Sequence, residues 1–352
     1  MIKKGKITMT EKPTIGLDIG GTKIRGGIVD RDGNLIEDPV IIKLPEKRNR
    51  ETFEKSLFSC LNEIINQFQK IHHEIDINIG IGSAGPLSPI DGVLHSPTNI
   101  GCGEYSINER IMDNFPVEKV SLINDCEAIA LGYYKFGGDK NQGMNSNALG
   151  LIAPGTGLGA AMILNGKPYW GTKNTGYLAV ELSQTPYFGS NKKEIEAGIG
   201  VNLEDFASGY AVFPILRDIF GGPTMSIISK YLSEARKEDK AWLIEQFARE
   251  SKSKEFKEKY PDLKNIDIDE KCLLTYRNLG KHLGYAIAAF VTNFNPEILI
   301  LEGSIMNAYD LFNYEMTNTF RSAVYERHKN IPIVVGLLDN SGIKGSSYWV
   351  RV

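Results

Sequence analysis

Cysteine is scarce in this chain. Cys60, Cys102, Cys126 and Cys272 are its only four, and no two stand at CxxC spacing. Such scattered thiols exclude a disulfide-stapled scaffold and suit reduced packing residues of a cytoplasmic protein. No sign of charge dominates either: the net charge is −3, without the basic excess of a nucleic-acid binder. The one lysine-rich stretch, 252–264, is interleaved with Glu255, Glu258 and Asp262 and reads as a solvated helix face. No apolar run approaches the roughly 18 residues of a membrane span. The opening MIKKGKITMTEKPT is charged, with no apolar stretch behind it, so it does not read as a secretory signal. Residues 1–12 are expected to be a flexible leader. None of the five histidines makes a metal pattern; His72 and His73 fall at a helix end. Nucleic-acid and membrane partners are thus not expected.

Two familiar nucleotide signatures are also missing. No GxxxxGK[ST] occurs. Gly155-Thr156-Gly157-Leu158-Gly159 leads into strand-like residues rather than a helix, which argues against a dinucleotide fingerprint.

What is present is a globular composition of 352 residues, 42% hydrophobic and 24% charged. The opening predicts an antiparallel meander: a strand at 14–18, a Gly-rich turn, a strand through Ile28-Val29, a turn at Asp32-Gly33-Asn34 and a third strand within 35–44. Helical spacing of Phe53, Leu57, Leu61, Ile64, Ile65 and Phe68 predicts a helix over 51–71. Strands at 77–82 and 120–123 and helices at 107–115 and 126–136 follow. The class is therefore α/β with a mixed sheet.

At Ala148 the pattern restarts. A strand at 149–153, a turn at 155–159, a strand at 161–164 and an Asn165-Gly166 hairpin repeat the opening. Aligned on Gly-Thr, residues 20–29 match 154–163 in their tiny residues and in the resumption of an apolar strand. Two duplicated lobes facing one another are expected. A helical, highly charged stretch over 225–284, strands after Pro296 and at 331–337, and a short helix over 341–350 complete the chain.

Each Gly-Thr turn is a candidate anion site. Glycine lets backbone amides approach a phosphate, and successive amides form a concave donor set. Gly20, Gly21, Thr22 and Lys23 make the first turn; Gly155, Thr156 and Gly157 make the second. Asp18 ends the first strand, where a carboxylate can hold Mg²⁺ through water. Asp125 stands between the strand 120–123 and the following helix, at the carboxyl edge where ligands bind in open α/β sheets. It can act as a helix cap, as the base that takes a hydroxyl proton during phosphoryl transfer, or as both.

The order of these motifs resembles the ROK (repressor, open reading frame, kinase) family of sugar kinases. DIGGTKIRGGIVD at 18–30 and APGTGLGAAMILNG at 153–166 resemble its two phosphate motifs. GIGSAGPL at 80–87 resembles its GxGxPGP loop, with Ala84 in place of proline. LINDCEAIALG at 122–132 resembles the segment carrying its catalytic aspartate, and NFNPEILILEGSI at 293–305 its adenosine-side strand and turn. GIKGSS at 342–347 resembles its closing helix. The resemblance implies a two-lobed actin/hexokinase-like (ribonuclease H-like) ATPase fold with duplicated mixed sheets. It implies a small lobe over 13–132, closed by a helix within 340–352, and a large nucleotide-side lobe over 133–339.

It further implies ATP-dependent phosphorylation of a hexose hydroxyl, the 6-OH of glucose first among them, with Asp125 as base. Alternatives are N-acetylmannosamine or another hexose or hexosamine as substrate, or a non-catalytic sugar-responsive regulator. Only 17 residues precede Asp18, too few for the DNA-binding domain of the family's repressors. Sugar contacts are implied at Gly85, Asn99, Asn124, Asp125, Glu181, Gln184 and Glu204, and a nucleotide contact at Gly303. Gln184 stands where the family usually has a sugar-contacting histidine. The family's zinc motif is absent from Glu196 to Asn202, so no structural zinc is expected. Family likeness also implies a homodimer.

Overall fold

In the computed structural model, residues 12–71, 77–138, 143–172, 180–187, 201–236, 239–263 and 266–352 are described. The leader before Lys12, His72-His73 and the Glu196–Gly200 part of the absent zinc motif lie outside the described residues.

The first lobe is built on a five-stranded sheet. Its strands are β1 (Thr14–Ile19), β2 (Lys23–Val29), β3 (Val40–Lys43), β4 (Asn78–Ser83) and β8 (Lys119–Asn124), in the order β3-β2-β1-β4-β8. β1 runs antiparallel to β2 and parallel to β4, and β4 runs parallel to β8. Side chains alternate across a strand. Ile15, Leu17 and Ile19 therefore share one face and join Phe53, Leu57, Leu61, Ile64 and Phe68 of helix α1 (Arg50–Ile71) in a buried cluster.

Thr14, Gly16 and Asp18 share the other face, which carries the closing helix. A side chain at Gly16 would stand 2.0 Å from the Ile343 carbonyl, and one at Gly80 1.7 Å from that of Ser346. Glycine is the only residue that lets the helix lie on the strands so closely. Thr14 Oγ1 and Ser347 Oγ are 2.6 Å apart across this contact.

Three short strands, β5 (Leu87–Ser88), β6 (Val93–His95) and β7 (Glu104–Ser106), form a separate small sheet before helix α2 (Ile107–Asn114). The sequence reading missed it, because two- and three-residue strands carry no usable period.

The second lobe repeats the plan. Strands β9 (Ala148–Pro154), β10 (Leu158–Leu164), β11 (Lys167–Pro168), β14 (Ile298–Leu301) and β15 (Ile333–Val335) make a sheet of order β11-β10-β9-β14-β15. Again the hairpin is antiparallel, and β9, β14 and β15 run parallel. Asn165 and Gly166 both have positive φ, 50° and 77°, as the hairpin pattern requires. A two-stranded piece pairs β12 (Pro186–Tyr187) with β13 (Val201–Asn202). Helices α4 (Glu204–Ala207), α5 (Gly209–Phe220), α6 (Gly222–Glu234), α7 (Lys240–Glu250), α8 (Lys254–Lys259), α9 (Ile268–Phe294) and α10 (Tyr309–Ala323) follow around that sheet. The charged stretch expected to be helical resolves into α6 to α8 and the first half of α9. Together with β9, β10 and β14, residues of α4 to α10 form the largest core cluster.

Helix α3 (Asp125–Phe136) follows β8 directly and belongs to both lobes. Cys126, Ala130, Leu131 and Tyr133 pack with Leu149, Leu151, Ala161 and Ile300 of the second sheet. The terminal helix α11 (Ser341–Trp349) lies on α3 as well, where a side chain at Gly345 would stand 1.6 Å from the Ala128 carbonyl. The boundary expected between residues 132 and 133 falls within α3, which packs against both sheets.

Candidate active site

The first Gly-Thr turn joins β1 to β2. Gly20 N donates to Lys23 O at 3.1 Å and closes it. The amides of Gly21 and Thr22 make no hydrogen bond within the protein among the described residues. Asn99 lies against this turn: a side chain at Gly21 would sit 3.3 Å from Asn99 Cβ. The Asn99 carbonyl accepts from Arg48 Nη1 at 2.5 Å, which pins the loop. Asp18 is buried and faces Arg25, its partner in the hairpin register. Arg25 donates to Asp18 Oδ2 through Nε at 3.0 Å and also through Nη2.

The second turn joins β9 to β10. Gly155 N donates to Gly157 O at 2.9 Å. Helix α5 begins against it, its Gly209 and Tyr210 amides donating to the Gly155 and Thr156 carbonyls at 2.8 and 3.1 Å. The turn's carbonyls are thereby satisfied, while the amides of Thr156 and Gly157 are free among the described residues. Gly303 has φ 143°, and a side chain there would stand 2.4 Å from Pro154 O. It lets the end of β14 pass close under the turn.

Asp125 lies at the carboxyl end of β8, as the first residue of α3. Asn124 is the cap: its Oδ1 accepts from Cys126 N at 2.9 Å. Asp125 Oδ1 accepts from the same amide at 2.9 Å. Burial and then the nearby Asp18 charge push the Asp125 pKa up to about 6. Gly85 is close by, since a side chain there would lie 3.8 Å from Asn124 Nδ2.

The carboxylates converge between the two turns. Glu127 is within electrostatic reach of Asp125 and Glu181, and Glu181 of Glu204. Glu181 precedes a 3-10 turn over Leu182–Gln184 and accepts from Ser183 Oγ at 3.3 Å. Much of Glu181 is open to solvent, yet crowding by protein and the Glu204 charge raise its pKa. Val180 just before it has φ 67°, a strained conformation for a β-branched residue and one that clusters at functional sites.

Two residues assigned to the sugar have structural work as well. Asn124 gives its side-chain oxygen to the α3 cap. Glu204 Oε2 accepts from Leu158 N at 2.8 Å and lies where a side chain at Gly157 would go, 2.4 Å away. It therefore braces the second turn. Gln184 is exposed, its Oε1 accepting from Asn202 Nδ2 at 3.1 Å and its Nε2 3.4 Å from Ser183 Oγ.

Sequence reasoning missed Arg25, Glu127, Trp170 and Glu302. Arg25 was findable, because the hairpin register places it opposite Asp18. Glu127 was findable from the N-x-x-E spacing of a capping box. Glu302, whose Oε1 accepts from Ser341 Oγ at 2.5 Å, and Trp170 carry no local signal.

The ROK family pattern matches residues 14–352. The chain belongs to the ROK family. Within this family, an uncharacterized Clostridium perfringens protein is 25% identical over 345 residues, covering 94% of this chain and 95% of that one. A Streptomyces coelicolor glucokinase is 33% identical over 154 residues, 44% of either chain. Among solved structures, a ROK glucokinase from Streptomyces griseus, in complex with glucose and AMPPNP, superposes with a TM-score of 0.71. That match has 21% identity and covers 96% of this chain and 99% of the other. The two-lobed ROK hexokinase-like fold is thus shared over nearly the whole length.

Proposed function

We propose that this ROK protein is an ATP-dependent sugar kinase that phosphorylates a hexose hydroxyl, the 6-OH of glucose first, with Asp125 as general base. The observation that carries this is the place of Asp125: a carboxylate at the carboxyl edge of β8, between two turns that each present two free amides. Its Oδ2 takes the hydroxyl proton, and the sugar oxygen attacks the γ-phosphorus in line as ADP leaves. The amides of Gly21, Thr22, Thr156 and Gly157 donate to phosphate oxygens. Asn99, beside the first turn, and Glu181, across the cleft, hold ring hydroxyls. Gly85 and Asn124 line the same side.

Mg²⁺ fits one position here. Asp18 Oδ2 is engaged by Arg25, while Oδ1 is left to accept from a metal-bound water. When bound with the nucleotide, the ion neutralises phosphate charge. The first lobe with α11 is the sugar side, and the second lobe is the nucleotide side. A homodimer follows from family likeness alone.

The test is a coupled assay of ADP release over glucose, mannose, N-acetylmannosamine and glucosamine with MgATP. Glucose is expected to give the highest kcat/KM. Preference for N-acetylmannosamine would replace glucose in this reading, and no turnover with any sugar would sink the kinase assignment.

A further inference from the structure

Glu127 stands two residues after Asp125 on α3 and is 8% exposed. A glutamate at the third position of a helix usually reaches back to the cap amide in water. Here it is inside the protein, and it has a second partner. Its Oε2 accepts from Trp170 Nε1 at 2.9 Å and lies 3.4 Å from Asn124 N. Trp170 comes from the segment after β11, on the second sheet. Its ring meets Trp349 of α11 edge-on, with centroids 5.5 Å apart. Trp349 Nε1 in turn donates to Leu122 O, on β8, at 3.2 Å.

The segment holding Trp170 thus grips both pieces of chain that carry Asp125: α3 directly, and β8 through Trp349. Burial, more than the neighbouring carboxylates, pushes the Glu127 pKa up to about 8. At neutral pH it is largely protonated and adds little charge beside the base.

We propose that Glu127 and Trp170 are a positioning pair for phosphoryl transfer, whose indole–carboxyl hydrogen bond holds Asp125, at the junction of β8 and α3, in place against the second sheet. This rests on the reading of Asp125 as the base. The attacking hydroxyl meets Asp125 at the start of α3. A misplacement of about 1 Å between them costs on the order of 10²-fold in rate.

Steady-state kinetics with glucose and MgATP on W170F, E127A, E127Q and D125N, each with its melting temperature, tests the pair. W170F and E127A are expected to lower kcat by roughly 10- to 100-fold, with KM for ATP within about twofold. E127Q keeps a carbonyl that accepts the indole N–H, and should hold kcat within about threefold of wild type. Where E127A does not fold, W170F still decides, because phenylalanine keeps a ring against Trp349. Unchanged kcat in W170F would overturn the proposal, as would E127Q falling as far as E127A. The D125N control separates the two readings. Near-wild-type turnover in D125N defeats the base assignment. A dead D125N beside wild-type rates in W170F and E127A defeats only the positioning pair.

Discussion

The two Gly-Thr turns share a backbone plan and differ in what surrounds them. Each joins an antiparallel hairpin beside a parallel strand, and each leaves two consecutive amides free among the described residues. The first is dressed with charge: Asp18 and Arg25 pair beneath it, and Asp125 lies beside Asp18. The second is held by hydrogen bonds to its backbone, from Glu204 below and from the start of α5. Duplication therefore preserved the donor geometry, which depends on backbone shape. The side chains diverged: one copy gained paired charges and the other a rigid mount.

The sharpest way to break this comparison is to remove the carboxylate charge of Asp125 beside the first turn. Asp125→Asn keeps the shape and cannot accept the proton, so kcat should fall by about 10²–10⁴-fold. Its melting temperature should rise. A carboxyl whose pKa is raised on folding favours the protonated fold; that stability is full below the unfolded value near 3.8 and is lost as pH climbs through about 6. Calorimetry at pH 7.5 checks this, and a melting temperature below wild type would contradict it.

Next is a matched pair of glycines. In Gly157→Ala the new methyl meets Glu204 Oε2 at 2.4 Å, whereas in Gly21→Ala it meets Asn99 Cβ at 3.3 Å. Overpacking costs about 1–3 kcal/mol, and about 1.4 kcal/mol is a factor of ten. We expect KM for ATP to rise roughly tenfold or more in Gly157→Ala and clearly less in Gly21→Ala. Equal effects would mean that the second turn is not the more rigidly mounted one.

The pH profile probes the charged side alone. Since Asp125 must be ionised to accept a proton, log kcat/KM should fall with unit slope below about pH 6. A profile flat down to pH 4.5 would show that the Asp18 charge and burial do not act on the base.

The smallest effect is expected at Gln184. Its side chain is exposed and already bonded to Asn202, so Gln184→Ala should alter the ratio of kcat/KM between glucose and mannose by less than about threefold. A larger change would place Gln184 on the sugar.

Much of the fold was legible because its signals are local. The alternation of β1, the helical spacing of α1, the paired residues Asn165-Gly166 and the recurrence of Gly-Thr all sit within a few residues of their consequences. Asp125 was legible for the same reason, lying at a strand-to-helix junction. The small sheet of β5 to β7 was not, since strands so short are stabilised by neighbours rather than by pattern. The double duty of Asn124 was hidden behind Asp125, because either residue can cap a helix and only the backbone angles choose between them.

By itself the sequence determined the strand and helix order, the two turns and the residue types at their edges, for these follow from period and turn chemistry along the chain. The tertiary structure alone decided which side chains meet across it. Glu204 finds Leu158 across 46 residues and Trp170 finds Glu127 across 43. Such partners are chosen by how the two sheets pack on the shared helix, and no local pattern encodes that packing.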